Sequence, residues 1–387
     1  MSNWRWLTEN AQHYTWGFLA RVILKAALLF VLLNVIYALV QPLPFISQLT
    51  LHNTLLPGRV RLPYGENPAA YNLSVNSIDM MFATHEIRQP KASDEYRVLL
   101  IGDSSVWGVL LAPEDTLAAQ INAAGHTLPD GRTVRAYNIG HPILSLTKDL
   151  LLLDEALHYQ PDAVVWLTTL QSFARDRQLI APLVQGNPAQ LQPLIAQYDL
   201  TLEPPPTTAD FMARTIIGQR RDLADWLRLQ LYGVMWGVTG VDQGYLENYE
   251  RRANDFDEDV SWLNVDTPQP LTGGELVFDV LAAGVGQAGE IPVLLVNEPV
   301  YIADGVNSDL RYNFWYPRWA YDAYREVYAQ QAAANGWHYL DVWDAIAPGE
   351  FTDSPVHLTA AGTGTLAEII GSAIIDLAET GSAGRNE

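Results

Sequence analysis

An α/β fold, with a parallel sheet of about five strands behind one membrane-spanning helix, is what this chain predicts. Three observations carry that expectation. From Tyr96 onward, short apolar runs alternate with stretches of helical period, and strands joined by helices imply a parallel sheet with right-handed crossovers. The first run, residues 98–101, ends in Gly102-Asp103-Ser104 just ahead of a helical pattern, at the sheet edge where such folds place their ligand crevice. Near the N-terminus, residues 22–40 (VILKAALLFVLLNVIYALV) are almost wholly apolar; as a helix the run is about 28 Å long, close to the hydrocarbon thickness of a bilayer.

Residues 1–21 read as an N-terminal tail and 22–40 as the transmembrane helix, broken only by Lys25, Asn34 and Tyr37. Lys25 lies one turn in, where it snorkels to the interface. A cleaved signal peptide is the competing reading, but the run is long for one and Tyr37-Ala-Leu-Val-Gln-Pro-Leu-Pro lacks a small-x-small site. Arg5, Arg21 and Lys25 precede the helix and Arg59 and Arg61 follow it, a bias that places the N-terminus in the cytoplasm and the body outside the cell membrane. Trp4, Trp6 and Trp16 suit the near headgroup layer, or else cover a short amphipathic helix. Residues 41–95 read as a connecting segment packed on the body, with Ile78-Asp-Met-Met-Phe82 docking there. Asn72-Leu-Ser74 matches a glycosylation sequon, a weak pattern.

The main domain spans 96–380. Residues 97–101, 133–138, 163–168, 291–297 and 337–341 read as strands; 116–124, 145–158, 317–335 and 360–377 read as helices. Residues 175–290 are an insertion, too long for a plain loop and therefore read as a lid or substrate subdomain; 222–236 within it form an amphipathic helix. Residues 381–387 are a flexible tail.

Composition narrows the function classes. The formal charge is -21, from 23 basic and 44 acidic residues, which disfavours nucleic acid and anionic membrane surfaces as partners. Cysteine is absent, so disulfides, thiolate catalysis and cysteine metal sites are excluded. No cofactor or metal is read: Asp304, Asn307 and Asp309 hint at calcium, but their spacing fits no standard loop, and a solvated acidic loop is preferred.

A serine at a strand tip, with an acid and a base close together far along the chain in Asp353-Ser-Pro-Val-His357, points to nucleophilic acyl chemistry. Each residue also has a plain structural reading. Ser104 is a common helix N-cap type, Asp103 suits bracing of the turn, and His357 suits the surface. His141 suits a structural role beside Gly140, and His126 and His158 suit solvated positions. Glu298, at the tip of the fourth strand, lines a pocket or makes a salt bridge. The aromatic run 312–319 is a sugar-stacking platform or, preferably, packing for the insertion.

These residues resemble the SGNH, or GDSL, hydrolases, over residue 96 to about 377 without most of the insertion. Gly102-Asp103-Ser104 is similar to the first block, Asn138-Ile139-Gly140 to the second, and Asp353 to His357, followed by Leu-Thr-Ala-Ala-Gly362, to the last. The resemblance implies a flavodoxin-like three-layer sandwich. It also implies a Ser104–His357–Asp353 triad, with an oxyanion hole from Ser104, Gly140 and Gln171. Asp103, Asn138, His141, Thr169 and Glu298 are the pocket candidates around it. Two departures stand out. The third block, Gly-x-Asn-Asp, is replaced by Thr169-Leu170-Gln171-Ser172, and losing one such donor costs about 3–4 kcal/mol. The Asp353–His357 spacing is one residue longer than usual, with Pro355 inside it, and Asp344 or Glu350 are substitute acids should Asp353 miss the imidazole. The implied function is a membrane-anchored serine esterase acting on an acylated extracytoplasmic glycan or lipid. One alternative is an O-acyltransferase that modifies a cell-envelope polysaccharide, served by a multi-pass membrane protein that brings the acyl group. The other is a non-catalytic scaffold on a degenerate hydrolase fold.

Overall fold

A computed structural model describes residues 15–65, 72–203, 210–241, 249–271 and 274–383, with side chains through 380. Arg5, Trp4 and Trp6 lie outside the described residues, as does the tail beyond 383. The chain divides into two compact units: residues 1–46 with 208–224, and residues 47–207 with 225–387.

In the first unit the apolar run forms helix α1 (Trp16–Val40). It starts ahead of that run because Thr15 caps it, its Oγ1 accepting from Phe18 N at 3.2 Å. It stops at Gln41, whose left-handed backbone (φ 48°) returns its N–H to Tyr37 O. Its most apolar 18-residue stretch has a mean hydropathy of 2.4, and little of that stretch is buried in the protein. Of the polar residues inside the run, Asn34 is accounted for: its Nδ2 donates to Phe30 O at 2.9 Å, and its Oδ1 accepts from Ile217 N at 3.4 Å. Gln41 Nε2 donates to Arg214 O at 3.0 Å. Since an unpaired polar group in hydrocarbon costs several kcal/mol, the segment 214–217 gives these last turns what lipid cannot.

The second unit holds the sheet. Two helices precede it, α2 (Leu51–Leu55) and α3 (Ile78–Thr84), the latter buried except at the half-buried Asp79. The segment read as a connector therefore packs firmly on the body. Arg61, also buried, donates from Nη1 to Gly108 O and Leu111 O and stacks over the Trp107 ring. The remaining elements run β1 (Glu95–Ile101), α4 (Ser104–Trp107), α5 (Leu117–Ala124), β2 (Thr133–Asn138), α6 (Leu146–Ala156) and β3 (Ala163–Thr168). They continue through the helices Pro182–Gly186 and Pro188–Tyr198, α7 (Arg220–Thr239, whose first residues belong to the first unit), α8 (Phe278–Ala288), β4 (Val293–Asn297), α9 (Arg318–Asn335) and β5 (His338–Asp341) to α10 (Ala360–Ala383).

All five strands are parallel, in the order β2-β1-β3-β4-β5, the flavodoxin-like arrangement. Alternation along each strand sorts the two faces. Val98, Leu100, Val134, Ala136, Val165, Leu167, Leu294 and Val296 pack with Leu117 and Ile121 of α5 and with Ile370 and Ile374 of α10. The other face meets α8 and α9: Trp166 lies against Gly284, Thr168 meets Tyr328, and Asn297 meets Tyr321 and Tyr324. α10 is apolar enough to cross a membrane, yet its inner residues belong to the core.

One sequence boundary is corrected. The span 175–290, read as an insertion, ends in α8, the crossover helix that returns the chain from β3 to β4 and packs on α6. Its small residues permit the close approach: a Cβ at Gly284 would stand 2.2 Å from Trp166 Cζ3. The indole is fully buried and cannot yield. Gly284→Ala is expected to destabilise the fold by about 1–3 kcal/mol through overpacking, read as a lowered urea midpoint at unchanged m; a gain from helix propensity would refute this account.

Candidate active site

The register brings four strand ends to one edge: Leu100 pairs with Asn138, Ile101 with Trp166, and Thr168 with Asn297. The loops that follow carry Asp103–Ser105, Gly140–His141, Thr169–Gln171 and Glu298, so residues remote in sequence emerge side by side.

The turn after β1 is tight. A Cβ at Gly102 would meet Val106 Cγ2 at 2.6 Å and Leu167 O at 3.0 Å. Asp103 caps α4, its Oδ1 accepting from Ser105 N at 2.7 Å, which leaves Ser104 as the first residue of the helix. The loop after β2 is pinned against this turn. His141 N donates to Gly102 O at 3.0 Å, and Asn138 Nδ2 donates to Trp107 O at 3.3 Å. Gly140 sits so near α4 that a Cβ would be 2.5 Å from Trp107 N. Its own N–H donates to Asn138 Oδ1 at 3.1 Å, so the amide is engaged in this structure.

The late acid and base meet the early serine. His357 Nε2 lies 2.8 Å from Ser104 Oγ, and His357 Nδ1 lies 2.7 Å from Asp353 Oδ1. With Nδ1 protonated toward the carboxylate, Nε2 is the acceptor for the Ser104 hydroxyl. The longer spacing is absorbed by a closed loop. Phe351 bridges Leu358, Thr352 N donates to His357 O at 2.9 Å, and Tyr301 N donates to Pro355 O at 2.7 Å. Burial acts to raise the Asp353 pKa, but the His357 hydrogen bond and charge, with Thr352, outweigh it and hold the carboxyl below its usual range. The substitute acids are elsewhere: Glu350 accepts from Thr359 Oγ1 and Asp344 is exposed.

Behind the serine lies a buried charged cluster that the motif reading missed. Lys148 Nζ donates to Gly102 O at 2.8 Å and His141 O at 2.6 Å, and pairs with Asp149 Oδ1 at 2.6 Å. Asp149 Oδ2 accepts from Trp166 Nε1 at 3.1 Å. The sequence signal was present: Lys148-Asp149 interrupts an apolar helical run, on what must be its core face. His141 is buried beside this cation, and burial, then Lys148, lowers its pKa to about 3. It is a neutral imidazole whose Nδ1 meets Pro142 O, and its backbone does the structural work.

Glu298 is fully buried, neither salt-bridged nor solvated. Its Oε2 accepts from Ser105 Oγ at 2.5 Å, while Oε1 and Asp103 Oδ2 are both buried without a protein donor. Burial first, and then the facing Asp103 and Asp149, push Glu298 well above the usual carboxyl range. A protonated Glu298 donating to Asp103 suits that arrangement. The sign follows: an acid whose pKa rises on folding costs stability above its unfolded value of about 4.3, increasingly up to its folded value. Glu298→Gln, whose amide reproduces the donor and acceptor of the neutral acid, is expected to match the parent near pH 4 and gain on it with pH, by up to about 1.4 kcal/mol per unit. Urea midpoints at pH 4 and pH 8 that shift equally in both proteins would contradict a buried neutral acid.

In the third loop, Thr169 Oγ1 donates to Tyr316 Oη at 3.1 Å, and Gln171 N donates to the same oxygen at 3.3 Å. We assign the Gln171 amide orientation that satisfies Arg177, with its Nη1 and Nε donating to the amide oxygen at 2.7 and 3.2 Å; in that orientation the NH2 end is the available donor. The aromatic run 312–319 is chiefly core. Tyr312 and Tyr316 are buried, Trp319 Nε1 donates to Val260 O within the insertion, and Phe314 is exposed. His126, expected in solvent, is half-buried against Gly371, whereas His158 is exposed. Asn307 Nδ2 donates to Phe256 O, bracing the acidic loop.

No family model and no curated protein matches this chain. Solved structures similar to it include a lipase/acylhydrolase from Enterococcus faecalis, at 14% identity and TM-score 0.36, covering 72% of this chain and 95% of that one. A carbohydrate acetylesterase family member from Sinorhizobium meliloti has 12% identity and TM-score 0.34, over 73% and 98%. The aryl esterase of M. smegmatis has 12% identity and TM-score 0.34, over 73% and 99%. These are distant likenesses, and what is specific to this chain is the contact of Ser104, His357 and Asp353 at the sheet edge.

Proposed function

We propose that the chain is a serine esterase of the SGNH type, held to a membrane by α1 and acting on an acylated extracytoplasmic glycan or lipid. The observation that carries this reading is the hydrogen-bonded series Asp353–His357–Ser104, assembled from the first and last loops of the sheet. His357 Nε2 takes the Ser104 proton as Oγ attacks the ester carbonyl. Asp353 keeps Nδ1 protonated and offsets the charge on the imidazolium. The Ser104 N–H, the first amide of α4, has no hydrogen-bond acceptor among the described residues, which leaves it for the oxyanion. The Gln171 NH2 is a second donor, and Gly140 becomes a third once its amide leaves Asn138 Oδ1. His357 then returns its proton to the leaving alcohol, and water resolves the acyl-enzyme. The length and hydropathy of α1 support the anchor, and the basic residues before it support a cytoplasmic N-terminus.

The test is covalent. The full chain, treated with a fluorophosphonate probe, is expected to carry the label on the peptide containing Ser104. Labelling that persists in folded Ser104→Ala, or is absent from the folded parent, would overturn the reading.

A further inference from the structure

Helix α7 has two apolar faces, and the described residues cover only one of them. Leu229, Gly233 and Trp236 are buried; Gly233 lies so close to His52 that a Cβ would stand 2.1 Å from its Nδ1. Leu227, Leu231, Val234 and Val238 recur at i, i+4, i+7 and i+11, a single stripe, and are 39–69% exposed. Beside α7, α2 is fastened by Gln230, whose Oε1 accepts from Leu51 N at 3.0 Å and whose Nε2 donates to Leu49 O at 2.9 Å. Leu51 and Leu55 of α2 are exposed as well. A surface helix with one face in the core normally turns polar residues outward. A contiguous exposed apolar face of this kind marks an interaction site.

Chain connectivity says what covers it. Residues 41–50 join the end of α1 to α2, a link of at most about 35 Å when fully extended. The chain also enters α7 directly from Arg214 and Ile217, whose backbone groups bond Gln41 and Asn34 in the last turns of α1. Both elements are thus tethered within reach of the leaflet where α1 ends. The first turn of α7 carries Arg220 and Arg221, long cations that keep their charge in the headgroup layer while their stems lie on apolar surface. The stripe itself carries no charge, so a chain of net charge -21 can meet lipid here without electrostatic attraction.

We propose that α7, with α2 beside it, lies in the headgroup–acyl boundary of the leaflet in which α1 ends, the stripe Leu227-Leu231-Val234-Val238 buried in lipid. The inference rests on the membrane reading of α1. Because the chain has no cysteine, one introduced thiol can be labelled alone. The full chain, reconstituted in phosphatidylcholine vesicles, would carry an environment-sensitive fluorophore in Leu231→Cys, in Leu28→Cys on α1, or in Ala334→Cys on the exposed side of α9. Doxyl-lipid quenching at Leu231 at least about threefold greater than at Ala334, with a blue-shifted emission, is the expected result. Quenching at Leu28 without quenching at Leu231, and with iodide reaching Leu231, would overturn the interfacial helix while leaving the anchor. Protection of Leu231 from both iodide and doxyl lipid would overturn it in favour of a protein partner. Loss of lipid quenching at Leu28 itself would remove the membrane reading and the inference together. Val234→Cys, on the same stripe, guards against a local failure of one variant.

Discussion

Ser104→Ala is expected to lower kcat/KM toward a short-chain p-nitrophenyl ester by about 10^5–10^6-fold, with the protein still folded. The hydroxyl is the only atom lost, and nothing in the turn depends on it: α4 is capped by Asp103, and Gly102 and Gly140 set the backbone. The Oγ makes its contact with His357 Nε2, so the loss falls on nucleophile and base as one unit. For that reason His357→Ala should cost about as much, and the double variant little more than either alone. Asp353→Asn, which favours the wrong imidazole tautomer, should cost about 10^4-fold. Additive losses in the double variant, or a Ser104→Ala protein within tenfold of the parent, would mean that these residues do not act as a relay.

The second large effect is on stability. Lys148→Met removes the cation that ties Gly102 O to His141 O and leaves Asp149, buried with Trp166 as its remaining donor. Removing one partner of a buried pair costs about 3–5 kcal/mol, a large share of the stability of an ordinary domain. The urea midpoint should fall accordingly. Lys148→Met combined with Asp149→Leu should recover part of the loss, because no buried charge is left unpaired. The recovered protein should still be a poor esterase, since the two loops that frame Ser104 are no longer joined. Full recovery of activity along with stability would show that Lys148 serves folding alone.

Much of the site was legible because its chemistry is written in adjacent residues. Gly102-Asp103-Ser104 after an apolar run, and Asp353 near His357, each name a residue type whose role depends on local geometry: a close turn, an acid within one loop of its base. The pocket roles were not legible in the same way. Glu298 was readable as a pocket residue or a salt-bridge partner, but its environment comes from Asp103 and Ser105 on one segment and Asp149 on another, neither of them near it in sequence. Lys148 and Asp149 gave a local anomaly, charge in an apolar helix, whose explanation is two carbonyls on separate loops and an indole on β3. Gly140 was read as an oxyanion donor, and only the packed loop shows its amide bound to Asn138.

Periodicity and length are properties of contiguous chain, so the sequence by itself determined the parallel α/β pattern and the apolar helix near the N-terminus, and it singled out the serine, histidine and acid that the fold brings into contact. Boundaries went wrong where small residues obey a distant neighbour, as in α8, whose Gly284 is shaped by Trp166 on β3. What only the tertiary structure decided was whether the long Asp353–His357 loop still closes the relay, and which buried charges stand behind Ser104. It also decided that α7 keeps an apolar face that the described residues leave uncovered. Those outcomes depend on distances between segments far apart in the chain, set by sheet register and packing rather than by any local pattern.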